Sequence, residues 1–168
     1  MDFSDRLKSL RKQAKLRQWG VFKAIGMSRT QYQRYESGMA DPTLSQLNKL
    51  ADFFGVSLDY LVGRTDAPKS IIIPAKVEDS ISCNNLTRKH SNKKGRVIFQ
   101  ERLQTCRLAQ TKSRREISDF FGLSVFTWQS YELGRSMPSA DKIAEFADYF
   151  GVSIDWLMGR TDKPEVAR

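Results

Sequence analysis

The stretch Gln18-Trp19-Gly20-Val21-Phe22-Lys23-Ala24-Ile25-Gly26-Met27-Ser28-Arg29-Thr30-Gln31-Tyr32-Gln33-Arg34-Tyr35-Glu36 decides how this chain is built. Val21, Phe22 and Ile25 are spaced as one face of a helix, and Gly26 suits its C-terminus. Ser28 is a good N-cap for a second helix over 29–36, with Tyr32 and Tyr35 as its inward positions. Only Gly26-Met27-Ser28 separate the two helices, and so short a turn sets them at a steep angle. Positions 29, 30, 33 and 34 then lie opposite the two tyrosines, on the outward side of the second helix.

The flanks supply three more helices. Upstream, Phe3, Leu7 and Leu10 mark one face of a helix over 3–14. Downstream, Gly38 ends the tyrosine-bearing helix. Asp41-Pro42-Thr43 starts another, with Leu44, Leu47, Leu50, Ala51 and Phe54 on one face. Ser57 caps a final turn carrying Leu58, Tyr60 and Leu61, which Gly63 ends. No segment with strand periodicity competes.

The whole unit then recurs at an offset of 96. Tyr35-Glu36-x-Gly38 meets Tyr131-Glu132-x-Gly134, Phe54-Gly55-Val56-Ser57 meets Phe150-Gly151-Val152-Ser153, and Gly63-Arg64-Thr65-Asp66 meets Gly159-Arg160-Thr161-Asp162. Residues 3–68 and 99–164 share 24 identities without a gap, which implies one fold used twice. The organisation is therefore a first domain over 1–68, a basic linker over 69–97 and a second domain over 98–168. The linker holds the apolar patch Ile71-Ile72-Ile73, which suits a short strand or docked segment, and the run Arg88-Lys89-His90-Ser91-Asn92-Lys93-Lys94-Gly95-Arg96. The fold class is all-α: two tandem five-helix domains.

Charge is distributed unevenly over the 168 residues. The net +9 divides into +4 over 1–68, +5 over 69–97 and zero over 98–168. A basic chain calls for a polyanionic partner, and the first two thirds hold the charge. Cys83 and Cys106 cannot staple a small secreted scaffold, which favours a reducing cytosol. No apolar run approaches membrane-spanning length and the N-terminus lacks signal-peptide order, so a soluble protein without membrane contact is expected, in the cytoplasm or nucleoid of a prokaryote or host cell.

The pattern Leu16-x-Gln18, Gly26-Met27-Ser28, Tyr35-Glu36-x-Gly38, Pro42 and Gly55-Val56-Ser57-x-Asp59-Tyr60-Leu61-x-Gly63 resembles the phage-repressor, Cro-type (lambda-repressor-like) helix-turn-helix family, in both copies. The resemblance implies a DNA-binding domain and a transcriptional repressor acting as a dimer. Carried over by position, it implies that Arg29, Thr30 and Arg34 read base edges and that Gln18 touches a phosphate or braces the recognition helix. Gln33 shares the outward face. Arg bonds guanine O6 and N7 bidentately, and the Thr methyl meets a thymine methyl. Ser28 and Ser37 are placed for phosphates, and Lys93, Lys94 and Arg96 read as a phosphate-contacting arm. Arg11 with Glu36, and Arg107 with Glu132, match a structural ion pair of the family. Gly20 and Phe22 depart from the family, which favours Glu and Ala there. Glycine weakens the helix, and Phe22 needs extra room.

The second copy departs further. Arg29, Thr30 and Arg34 become Val125, Phe126 and Ser130, and Gln18 becomes Arg114. Two apolar residues on the outward face read as a protein interface. The alternative is that Val125 and Phe126 meet thymine methyls while Lys112, Arg114 and Arg115 hold phosphates.

Catalytic and metal-binding inventories are poor. His90 stands alone, Cys83 and Cys106 form no zinc pair, and no glycine-rich phosphate loop exists, so no catalytic residue, metal or cofactor is assigned. The expected function is a sequence-specific DNA-binding repressor or autorepressor of prokaryotic or phage type, with double-stranded DNA as partner, homodimeric, with a possible protein partner through 98–168. One rival is an inhibitor or adaptor acting through the second copy, a setting known from phage anti-CRISPR proteins. Another is a single chain imitating a repressor dimer: a 29-residue coil spans ~30 Å, near the ~34 Å between half-sites.

Overall fold

Local signals set the helix ends. In the computed structural model, residues 2–67 and 92–166 are described, the side chains of 92–96 excepted. Ile71-Ile72-Ile73, Cys83 and His90 lie outside the described residues, as do the side chains of Lys93, Lys94 and Arg96. The described residues contain helices and no strand, and they fall into two units, one for each repeat.

The first unit comprises α1 (Phe3–Gln13), α2 (Gln18–Ala24), α3 (Arg29–Ser37), α4 (Leu44–Phe54) and α5 (Leu58–Leu61). Asp2 caps α1, its Oδ1 accepting from the Asp5 N–H at 2.9 Å. Between α2 and α3, Gly26 takes φ +66°, a left-handed turn that a side chain resists. Ser28 caps α3 by accepting from the Gln31 N–H. Leu7, Val21, Tyr32, Leu50, Leu58 and Leu61 are fully buried and form the core that α3 packs against. Each such aliphatic side chain stabilises by about 1.5–3 kcal/mol over leaving it in water. α2 runs unbroken through Gly20, and Phe22 is only half-buried.

The second unit comprises α6 (Asn92–Ala109), α7 (Arg114–Phe120), α8 (Val125–Glu132), α9 (Ala140–Phe150) and α10 (Ile154–Leu157). Its core is more aromatic, with Phe121 stacked on Trp128 at 5.8 Å and Phe146 edge-on to both. Here the reading of 69–97 as linker is corrected at its end. α6 begins at Asn92, so Lys93, Lys94 and Arg96 stand on helical backbone. Ile98 occupies the position of Asp2 and has no capping oxygen, and the Lys and Arg before it propagate a helix well.

Much of the basic charge is committed inside each unit. Arg6 donates to the Thr65 carbonyl and to Asp66, both at 2.6 Å, with its guanidinium 4.7 Å from the centre of the Tyr60 ring. Arg102 repeats this arrangement with Thr161, Asp162 and Trp156. Arg64 pairs with buried Asp59, as Arg160 does with Asp155.

Candidate nucleic-acid interface

The α2–α3 crossing is held from behind by one carboxylate. Glu36 is buried near the end of α3. Arg11 of α1 grips it bidentately, at 2.5 and 3.1 Å, and the Gln18 amide donates to it at 2.6 Å. Burial pushes the Glu36 carboxyl up, but hydrogen bonds from Arg11 and Gln18 outweigh this and hold it below the usual carboxylate range. The Arg11–Glu36 pair expected from the resemblance is thus present. Tyr32 lies fully buried beside it. Burial, then the Glu36 carboxylate, pushes its phenol far up, and its hydroxyl has no hydrogen-bond partner among the described residues.

In front of this clamp, Arg29, Thr30, Gln33 and Arg34 are all exposed on one side of α3. Neither Arg29 nor Arg34 makes a side-chain ion pair among the described residues. Gln33 is tied to the clamp, its amide 3.5 Å from the Gln18 carbonyl oxygen. Gln18 thus bonds Glu36 with its amide nitrogen and lies 3.5 Å from Gln33 with its amide oxygen. Ser28 uses its oxygen as a cap and keeps its O–H as a donor. Ser37 is exposed, and its hydroxyl donates to the Arg34 carbonyl. Lys93, Lys94 and Arg96 belong to α6 of the other unit, with no described side chains to place against this face.

The second unit keeps the clamp and changes the face. Glu132 accepts from Arg107, from Arg114 at 2.6 Å and from Trp128 Nε1 at 2.8 Å. Burial raises this carboxyl, and Arg107 and Arg114 bring it below the usual range. Arg114 is thereby engaged inward. Glu116, where the first unit has Gly20, closes a capping box with Ser113 and adds a negative charge to α7. On α8, Val125 and Phe126 are 41% and 69% exposed, and Ser130 is buried with its hydroxyl on the Phe126 carbonyl. Leu133, in the place of Ser37, adds a third exposed apolar side chain. The same 96-residue register shows it in the sequence, and its exposure is what marks it.

Each of the two five-helix units carries a helix-turn-helix pair, α2–α3 in the first and α7–α8 in the second. The family profile described as helix-turn-helix matches residues 7–61 and 103–157, and the chain belongs to that family. It is similar to an SPbeta prophage-derived uncharacterized HTH-type transcriptional regulator, YonR, of Bacillus subtilis strain 168, at 38% identity over 64 residues, covering 38% of this chain and 59% of the relative. It is also similar to the cryptic phage CTXphi transcriptional repressor RstR of Vibrio cholerae, at 37% identity over 62 residues, covering 37% of this chain and 55% of the relative. The chain thus spans little more than half the length of these relatives. No solved structure matches it significantly. No described helix is long and apolar enough to cross a membrane, and no described cluster of His, Cys, Asp and Glu could hold a metal ion.

Proposed function

We propose that this chain is a sequence-specific transcriptional repressor of prokaryotic or phage type, acting in the cytoplasm, that reads the major groove with α3. Arg29, Thr30, Gln33 and Arg34 face base edges, Ser28 and Ser37 meet phosphates, and Gln18 sets the helix angle from behind. Lys93, Lys94 and Arg96 add sequence-independent phosphate contacts. The observation that carries this reading is the exposed polar face of α3, whose Arg29 and Arg34 make no side-chain ion pair among the described residues, mounted on the Arg11–Glu36–Gln18 clamp.

The second unit serves as a protein contact, most simply between two copies of the chain. Val125 and Phe126 on α8, with Leu133 just after it, make an apolar outward face on which Gln129 is the residue kept from the reading face of α3, and Arg114 is closed on Glu132. These features count against a single chain imitating a repressor dimer. Capture of a foreign protein by the full chain, with no self-association, would instead support the inhibitor or adaptor.

Selection of duplexes from a random pool, followed by Arg29→Ala and Arg34→Ala, tests the reading. Each variant should lose about 1–3 kcal/mol at particular base pairs and relax preference there. Unchanged affinity and base preference in both variants would remove the assignment.

A further inference from the structure

Where α7 ends beside α9, three aromatic rings and two carboxylates line an open groove: Phe120, Phe121 and Tyr149, with Glu145 and Asp148. Glu145, Asp148 and Tyr149 share one side of α9 by helical spacing. Phe120 is the last residue of α7, and Phe121 follows it. The rings hold one another. Phe121 is stacked on Trp128 and edge-on to Phe146, which anchors it in the core. Tyr149 meets Phe121 edge-on at 5.2 Å, and Phe120 lies 4.4 Å from Tyr149, tilted by 47°. Phe120 is nonetheless 64% exposed, a large apolar ring left in water on a fixed support. Lys142 reaches Glu145 at 2.7 Å along α9, an exposed pair of the kind worth little, and no cation lines the groove itself.

The first unit supplies an internal comparison. Phe120, Phe121 and Glu145 stand where it has Ala24, Ile25 and Lys49. Two of the rings are missing there, and an ammonium replaces a carboxylate. Phe53 and Asp52 alone keep the character of Tyr149 and Asp148. Both units build the same helices, so the fold does not require the chemistry of this groove.

We propose that the groove binds an arginine-bearing segment of a partner protein, a contact beyond the one read on α8. Charge and ring chemistry select the occupant. Carboxylates beside the rings repel phosphate, which counts against nucleic acid and lipid headgroups. A guanidinium is planar and weakly hydrated. It lies flat on the exposed Phe120 or Tyr149 ring while its N–H groups donate to the Glu145 carboxylate, and Asp148 adds negative charge. Glu145 exchanges Lys142 for the incoming guanidinium at little cost, because that pair is exposed. Small-molecule sites bury most of their ligand, and this groove is open. An extended segment instead brings an apolar neighbour of the arginine to cover Phe120.

The test uses the full chain with isotope-labelled aromatic rings, observed by NMR. The probe is the acetylated, amidated pentapeptide alanine-leucine-arginine-leucine-alanine. Ring signals of Phe120, Phe121 and Tyr149 should move with the peptide and saturate. The same peptide with citrulline for arginine, neutral and of equal shape, should bind several-fold more weakly. Phe120→Ala and Glu145→Lys install the residues of the first unit. Each should weaken the arginine peptide several-fold and leave the melting temperature near that of the parent. Val125→Ser with Phe126→Ser, which tests the α8 contact separately through the mass, should leave peptide binding unchanged. Ring signals that stay still into the millimolar range overturn the proposal, as does equal binding of the citrulline peptide. N-acetylarginine amide binding as tightly as the peptide overturns it in favour of a small-molecule site. A changed mass in Phe120→Ala overturns it in favour of a contact between copies. Loss of peptide binding in the α8 variant, with Phe120→Ala and Glu145→Lys silent, overturns it in favour of α8.

Discussion

The amide nitrogen of Gln18, at the start of α2, lies 2.6 Å from the carboxylate of Glu36, near the end of α3. That bond, with Arg11 donating to both carboxylate oxygens, ties three helices to one buried anion. The angle at which α3 is presented is therefore set by charge-assisted hydrogen bonds. In the second unit Arg114 takes the place of Gln18 on Glu132, so the clamp survives although the face in front of it has changed.

Acid should loosen both units. Glu36 and Glu132 have folded values depressed below the ordinary 4.5. Their contribution is complete above the unfolded value and is lost as pH falls through the folded one. The urea midpoint, followed by circular dichroism, should be flat near neutrality and fall below about pH 4.5. Glu36→Gln with Glu132→Gln should flatten that fall while lowering stability at neutral pH.

Glycine 20 should be replaceable with profit. A Cβ added there meets nothing within 4 Å, and its φ is not left-handed. Gly20→Ala should stabilise the first unit by about 0.5–1 kcal/mol. Gly26 also has open space, but its φ of +66° makes Gly26→Ala cost about 1–2 kcal/mol. Hydrogen-exchange mass spectrometry on α2 and α3 peptides of the full chain would show opposite signs.

Tyr32 and Trp128 occupy equivalent positions with unequal consequences. Trp128 donates to Glu132 at 2.8 Å, whereas the buried Tyr32 hydroxyl has no hydrogen-bond partner among the described residues. Trp128→Phe should cost at least the ~1.5–3 kcal/mol of a hydrogen bond to a charged group. Tyr32→Phe should cost clearly less, since its hydroxyl meets no partner in good hydrogen-bond geometry among the described residues. Denaturant titrations of the two variants decide this, and a comparable loss in Tyr32→Phe would contradict it.

The apolar face of α8 has its own signature under the proposed function. Val125→Ser with Phe126→Ser should shift the full chain towards the single-chain mass in light scattering. Affinity for a single half-site, which uses neither Val125 nor Phe126, should stay unchanged. A loss of half-site affinity with the mass unaltered would place α8 on DNA.

How much of this was legible in the sequence differs between residues. The α3 boundaries follow from Ser28, Gly38 and the tyrosine spacing, and 29–36 as expected became Arg29–Ser37. The outward placement of Arg29, Thr30, Gln33 and Arg34 follows from helical period alone. Two features were not legible. One is the start of α6 at Asn92: a helix continues until something caps it, and the loss of Asp2 at Ile98 removes the cap without announcing where the next stop lies. The other is the groove around Phe120, because which side of α7 is left open depends on where α9 packs beside it.

By itself, the sequence determined two copies of an all-α helix-turn-helix unit, the polar face of one recognition helix and the apolar face of the other. These are properties of spacing and residue type along a single helix, where a period of 3.6 residues settles which side chains share a side. Only tertiary structure decided that Gln18 faces Glu36, that Arg114 is turned inward and that Phe120 leans on Tyr149. Each depends on a contact between helices, and a contact of that kind is set by the crossing angle and, for the first two, by competition for one buried carboxylate, which no local spacing records.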